Sequence, residues 1–409
     1  LFFRLLVALH LIDDYTRLNF YSALGALAYA SSCFLLSPLS DRIGRHKGAA
    51  IGLGLCVAGS FFPLLGGGTP AQLFVYNAFG SVGWGLFFPA IEGLVADNSS
   101  PKVELGRGIS RYNMAWSSGD FIGGLAAAAI IAHWAIHHAH LSREALVAVV
   151  FGAGALWDAF LIGCLLWDRR RLRKKNAASA VVRTEHPPAT VSPEDLAELP
   201  AFSRAARVGF FFASGVLCLT MTNFQRYGSL NGLPKETAAV LFASFPGLNV
   251  LLFKWLGPRL FWRFRRAALL TTQLPMLGGS LLLVLFPNPL GLAGGLFLIG
   301  FGFAAIFTQS LFYSLLLPHY GKKIRTVANE NGKAYSKEGG VHEALLGLGN
   351  LLGPVLCLLL WNVAPADLPL WGRDKDAAFF AIGAVLCGVS LAGQWMLLHR
   401  DLRMRRQGP

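Results

Sequence analysis

The chain has 409 residues and a mass of 44.2 kDa; 54% of them are hydrophobic and only 14% charged, against ~25% charged in an ordinary soluble domain. A mean hydropathy of +0.50 excludes a soluble globular protein, and it excludes disorder, which needs low hydrophobicity. The net charge of +14 raises the question of nucleic acid, and where the charges sit decides it.

A bilayer core takes ~20 mostly apolar residues in a helix. Residues 1–12 are apolar but short, and they read as the outer part of a first span inside which the chain begins. Apolar stretches of spanning length follow at 19–39, 49–66, 71–96, 112–136 and 145–167, then at 206–225, 237–256, 267–286, 290–317, 341–363 and 377–398. Eleven full spans and a partial twelfth are expected, all helical, because backbone in lipid must satisfy its own hydrogen bonds. The six cysteines lie inside apolar stretches with no C-x-x-C pair, so they read as buried small hydrophobes.

Alternating the loops sorts the basic residues. Twenty-nine of the 36 Lys and Arg fall in one set of loops and the carboxyl tail, six in the opposite set, and Arg4 in the partial first helix. The positive-inside rule puts the richer set in the cytoplasm. The excess charge is therefore topology; nucleic acid is not an expected partner, and the bilayer is. A bacterial-type inner membrane is the expected location, with the linker and the carboxyl terminus cytoplasmic.

The expected domains are a first six-helix bundle (1–167, first helix incomplete), a basic, proline-containing linker (168–205), a second bundle (206–398) and a basic tail (399–409). A short amphipathic helix is expected within the linker near 193–199. The halves look related. The stretch Ser37–His46 has a basic counterpart at Gly257–Arg266, and Gly119, Gly123 and Gly124 in the fifth helix have partners at Gly349, Gly353 and Pro354 in the eleventh. Such repeats, with glycine-interrupted helices, are typical of secondary transporters, and the glycines permit close helix packing.

Ser37-x-x-x-Asp41-Arg42-x-Gly44-Arg45-His46, between the second and third spans, resembles the signature loop of the major facilitator superfamily, G-x-x-x-D-R-x-G-R-R/K, with Ser37 and His46 as departures. Asp97 followed by Glu104-x-Gly106-Arg107-Gly108 looks like that family's next inner loop. The resemblance implies an all-α integral membrane protein with twelve helices in two pseudo-twofold bundles around a central cavity. It implies a secondary transporter working by alternating access, moving a small organic solute coupled to protons or another ion, with no cofactor and as a monomer. Asp41, Arg42, Gly44, Arg45, Asp97 and Arg107 are then the expected conformational latch: charges at the bilayer edge that pair in one state and part in the other. The plainer alternative is that the basic residues only set topology. Two departures set the chain apart from the family's antiporters and exporters: the fourth helix has no Lys or Arg, and Asp120 stands where a proline would be.

Even on the lowest scale a mid-helix charge costs about 2.5–3.5 kcal/mol, so ionisable groups inside spans are functional candidates. Asp120 is expected ~12 Å deep in the fifth helix and Glu92 ~7 Å deep in the fourth. His342 and Glu343 open the eleventh, where a carboxylate also suits the helix dipole. These four are the proton-coupling candidates. Arg4 could hold an anionic solute group or merely snorkel outward, and Asp158 has no assigned role. The resemblance makes helices one, four, seven and ten line the cavity, which nominates Tyr76, Asn77, Trp84, Asn223, Gln225, Thr308, Gln309 and Tyr313 along with Arg4. Each of them taken singly is equally suited to helix packing. His133, His137, His138 and His140 have zinc-like spacing but no cysteine or carboxylate partner, so no metal is expected. A P-loop is absent from the sequence. The alternative function is a non-transporting receptor or a membrane enzyme on the same fold; an enzyme would need a nucleophile–base pair or metal set that the sequence does not show.

Overall fold

The computed structural model describes residues 15–97, 99, 103–136, 143–178, 192–324, 335–363 and 375–406, and the regular structure among them is all helical. The helices are α1 (Tyr15–Ile43), α2 (Arg45–Gly66), α3 (Pro70–Asp97), α4 (Val103–Ile136), α5 (Arg143–Ala178) and α6 (Pro193–Leu230). They continue as α7 (Lys235–Leu256), α8 (Arg266–Thr271), α9 (Gln273–Leu285), α10 (Pro289–Ile324), α11 (Tyr335–Val363) and α12 (Lys375–Arg406). Among the described residues nine segments are long and apolar enough to cross a membrane, with α8 and α9 counted as one. α7 supplies a shorter apolar stretch, Val240–Leu256. α4 is not among the nine; its first half carries Glu104, Arg107 and Arg111, and Asp120 follows at its middle. Every full span expected from hydropathy falls on one of these helices or on the α8–α9 pair.

Two differences from expectation have local causes. Pro275 lacks an N–H for the carbonyl of Thr271, which interrupts the ladder between α8 and α9; Thr272 keeps helical angles (φ −64°, ψ −22°), so the two run on as one span. The linker is shorter than 168–205, because α5 continues to Ala178 and α6 starts at Pro193. Ser192 caps α6 by accepting from the Asp195 N–H at 3.1 Å, and Pro193 occupies a first-turn position where its missing N–H costs nothing. The helix expected near 193–199 is thus the opening of α6, and Arg204 and Arg207 lie on a helix rather than in a loop.

Lipid tails are as apolar as leucine, so helices here associate by close packing. Gly52 of α2 and Gly83 of α3 touch backbone to backbone: a Cβ on either would lie 2.5 Å from the other's carbonyl oxygen. Gly349 and Gly353 do the same for α11 against α6, where added Cβ atoms would meet Ser214 at 2.5 Å and Cys218 at 3.0 Å. Pro354 and Gly124 are buried. Gly119 and Gly123 have no described atom within 4 Å of an added Cβ.

In chain order α1–α5 precede residues 179–191 and α6–α12 follow them, and these two sets are the first and second half below. The largest buried cluster belongs mostly to the second half, around Phe202, Phe210, Tyr227, Trp262, Phe303, Phe307, Phe312 and Tyr313. The halves meet along a seam, with α1 and α3 against α11 and α4 against α7 and α10. Helix alternation gathers the basic loops at one end of the molecule, and the seam contacts run from that end to about mid-helix. A Cβ on Gly340 would lie 2.5 Å from the Cys33 carbonyl and one on Gly347 2.9 Å from the Ala30 nitrogen. Across the other side, Ser110 Oγ donates to the Phe253 carbonyl at 2.7 Å. These described contacts join the two sets of helices near the basic end.

Candidate functional site

Gly44 ends α1 with φ 95°, a left-handed value that favours glycine, and so turns the chain directly into α2. The turn brings Arg45 back over Asp41. Arg45 is 6% exposed, with Nη2 2.9 Å and Nε 3.0 Å from Asp41 Oδ1. Its Nη1 donates to the Gly93 carbonyl at 2.8 Å and pairs with Asp97. One guanidinium thus ties α1, α2 and α3 together, and a buried charge is tolerable when it is paired in this way. Asp41, Gly44, Arg45 and Asp97 of the expected latch come together; Arg42 and Arg107 lie exposed outside the cluster. His46 Nε2 sits 3.3 Å from Asp168 Oδ2 of α5.

The second charged cluster crosses the seam. Glu92 comes from α3, and His342 and Glu343 from α11; their exposures are 0%, 0% and 2%. One ligating atom from each lies within 4.8 Å of the others. α11 comes this close because Gly339 has no side chain: a Cβ there would stand 2.6 Å from Glu92 Oε2. Tyr29 of α1 donates its hydroxyl to Glu343 Oε2, and the Tyr112 hydroxyl of α4 is 3.5 Å from Glu92 Oε1. His342 lies flat on Phe210 with centroids 4.3 Å apart, edge-on to Phe307, and its Nδ1 is 3.0 Å from Ser310 Oγ. Glu92 Oε2 and His342 Nε2 are buried without a hydrogen-bond partner. Among the described residues no Lys or Arg pairs with either carboxylate. Arg207, one helix away, is paired with Glu338 at 2.5 Å and donates to Ser314 at 3.3 Å. A site of two carboxylates and an imidazole in an apolar wall attracts a cation.

The remaining candidates are mostly committed to packing. Asn77 donates to the Tyr21 carbonyl at 2.9 Å, and Tyr76 meets Phe151 edge-on at 4.9 Å, so both fasten the first half. Asn223 bonds the Leu219 carbonyl at 2.8 Å and faces Cys357 Sγ at 3.4 Å. Thr308 bonds back to Ala304 at 2.9 Å, and Gln309 donates to the Ala268 carbonyl at 3.3 Å. The Tyr313 hydroxyl accepts from the Phe264 N–H at 2.9 Å and holds the loop between α7 and α8. Trp84 is half-buried and stacked on Phe88, centroids 5.3 Å apart. Asp120 has no described hydrogen bond or ion pair with the seam cluster. Asp158 is half-buried in α5. Arg4, His137, His138 and His140 fall outside the described residues, as do the side chains of Gln225 and His133.

In the loop after α7, the counterpart of the signature loop, Arg263 sits 4.6 Å over the Phe312 ring and 5.3 Å over Trp262 and donates to the Gly257 carbonyl at 3.2 Å. Burial lowers this guanidinium to about 10. The second half closes its loop with rings where the first half uses carboxylates.

Tyr29, Tyr112, Ser310 and Arg207 were not singled out from sequence. Hydroxyls on apolar faces carry no pattern of their own, and Arg207 read as a loop charge. One clue was available: Glu92, ~7 Å deep in its helix, and Glu343, at the opening of another, are carboxylates in spans of opposite halves.

The sequence profile of the Major Facilitator Superfamily matches residues 5–330. No curated protein sequence matches the chain. The fold is similar to the crystal structure of the human organic anion transporter MFSD10 (TETRAN), at 16% identity and a TM-score of 0.62 over 95% of this chain and 87% of that one. It is also similar to the fucose:proton symporter FucP of Escherichia coli, at 16% identity and a TM-score of 0.55 over 97% of this chain and 96% of the symporter.

Proposed function

The chain belongs to the major facilitator superfamily of membrane transporters, and from that premise we propose that it is a secondary active transporter for a small polar organic solute, driven by a coupling ion, in the first instance the proton. The observation that carries the proposal is the seam cluster. Glu92 moves with the first half and Glu343 with the second, yet both are buried against one another. Two carboxylates held together in an apolar wall repel unless a cation, of which the proton is the smallest, lies between them. When the halves part, the same two groups become separate and wet. Occupancy and conformation are therefore linked, and a ligand that prefers one state shifts the population toward it.

The other features take supporting roles. The positive-inside asymmetry puts the basic end, and with it the linker and the carboxyl terminus, in the cytoplasm of a bacterial-type inner membrane. The closed basic end then corresponds to a state shut toward the cytoplasm. The Arg45 cluster keeps α1–α3 rigid, so the end of α1 presents the latch as one body. Among the described cavity candidates Trp84 makes its ring contacts with Phe87 and Phe88 of its own helix, and a ring suits an organic solute with some apolar surface.

The test is flux in proteoliposomes of full-length protein with an imposed pH gradient, screening sugars, amino acids, organic anions and drugs. The expected result is saturable, gradient-driven accumulation of at least one solute. Glu92→Gln and Glu343→Gln should abolish accumulation while leaving solute exchange intact, and Asp120→Asn should leave both in place. Accumulation that survives both glutamine substitutions would remove the seam from the coupling mechanism.

A further inference from the structure

We propose that Glu92, His342 and Glu343 form a binding site for a single divalent transition-metal cation of the zinc type, shared between the two halves. The proposal takes up the same cluster as the preceding section, but it is tested by binding rather than flux, so either can fail alone.

The donor set is two carboxylate oxygens and an imidazole nitrogen within 4.8 Å of one another. Zinc accepts three protein ligands of these types, with a further position left for water or another ligand. Hard cations such as magnesium prefer all-oxygen shells and retain several waters, so the imidazole selects against them. Carboxylates alone would not make the case. The independent observation is that Glu92 Oε2 and His342 Nε2, both fully buried, have no hydrogen-bond partner, which leaves lone pairs in the protein interior that a cation would satisfy.

The surroundings fit. Ser310 Oγ, 3.0 Å from His342 Nδ1, and the flat stack on Phe210 fix the ring, as outer partners of a ligating histidine do. Tyr29 donates to Glu343 Oε2 and so helps orient that carboxylate beside Glu92 and His342. Of the charged groups facing the cluster, Arg207 is paired with Glu338, which blunts its repulsion of a cation. Tyr112 and Cys33 complete the wall from α4 and α1. Two full carboxylate charges match a divalent ion, and protons compete with it for the same atoms. Because the ligands come from both halves, an occupied site holds the basic end closed.

The experiment titrates purified full-length protein with zinc chloride against a chromophoric chelator, with magnesium chloride as the control cation. Thermal unfolding of each metal-free variant checks its fold. One zinc site per chain is expected that magnesium does not fill. Glu92→Gln, Glu343→Gln and His342→Ala should remove it, and Ser310→Ala should weaken it by about tenfold to a hundredfold. Replacing His133, His137, His138 and His140 with alanine should leave it unchanged. The proposal is overturned if zinc affinity is the same in folded Glu92→Gln and His342→Ala as in the parent. It is equally overturned if binding disappears only with the four outer histidines, or if magnesium binds as well as zinc.

Discussion

Arg45 and Glu92 are buried charged side chains on neighbouring helices of the same half, and the protein treats them in opposite ways. The described partners of the Arg45 guanidinium include two carboxylates and a carbonyl from α1–α3. Glu92 has no described cation; its neighbours are a second carboxylate and an imidazole from the other half. A buried charge whose partners move with it is compensated in every state, so it serves as structure. A buried charge whose partners lie across a moving seam is compensated only in one state and only with a ligand, so it can report on that ligand. The comparison predicts which substitutions harm the fold and which harm the cycle.

The largest expected effect separates the two clusters. Arg45→Ala strands Asp41 and Asp97 and should cost about 3–5 kcal/mol, toward the lower end because Asp97 is a third exposed. Thermal unfolding of the purified protein would show this as an early transition. Glu92→Gln removes a charge that lacks a counter-charge and keeps the shape, so its unfolding transition should match the parent's or lie above it. An early transition in Glu92→Gln would mean that the seam is structural too, and the contrast would fail.

Glycines sharpen the same contrast sterically. An added methyl at Gly52 meets the Gly83 carbonyl inside the first half, and one at Gly340 meets the Cys33 carbonyl across the seam, each at 2.5 Å. Overpacking of this kind costs about 1–3 kcal/mol. Gly52→Ala cannot relieve it and should lose stability. Gly340→Ala can relieve it by letting the halves part at the basic end. Cys33, fully buried in the closed molecule, should then be alkylated faster in Gly340→Ala, as read by peptide mass mapping, and no faster in Gly52→Ala. Equal labelling of Cys33 in both would argue that this seam does not open.

A smaller effect tests how the seam is held. Tyr29 donates directly to Glu343, whereas the Tyr112 hydroxyl reaches Glu92 only at 3.5 Å, a distance at which little bonding remains. Tyr29→Phe should lose about 1.5–3 kcal/mol of closed-state stability and raise Cys33 labelling; Tyr112→Phe should leave labelling near the parent's. The reverse order would reassign the donor.

The helices were legible because lipid imposes a single requirement, ~20 apolar residues with self-satisfied backbone, that hydropathy reads directly. Their ends were not, since a helix that runs beyond the bilayer becomes polar while remaining helical: α6 carries Arg204 and Arg207 through the stretch expected as linker. Asp41, Arg45 and Asp97 were legible as a group, because the signature loop fixes their local geometry. Glu92 and Glu343 were visible singly, one ~7 Å deep in its helix and the other at a helix start, but they are 251 residues apart in sequence, and only the meeting of the halves pairs them. Asn77, Asn223 and Gln309 show the opposite failure. A polar side chain in a span looks the same in sequence whether it faces solute or fastens a neighbouring helix, and here these three do the latter.

The smallest expected effect belongs to His46, which neighbours Arg45 in sequence but not in environment. Its partner Asp168 is 57% exposed, so water screens the pair, and pairs of this kind contribute about 0–1 kcal/mol. Asp168→Asn should leave the unfolding transition and solute exchange close to the parent's, while Arg45→Ala, at the residue next to His46, should give the early transition described above. Both residues stand in the same turn after α1, so the turn itself cannot explain a difference between them; only the burial of one guanidinium and the exposure of the other pair can. A destabilisation by Asp168→Asn as large as that of Arg45→Ala would show that the loop is held from outside by α5 as much as from inside by α3, and the latch would then extend over the whole first half.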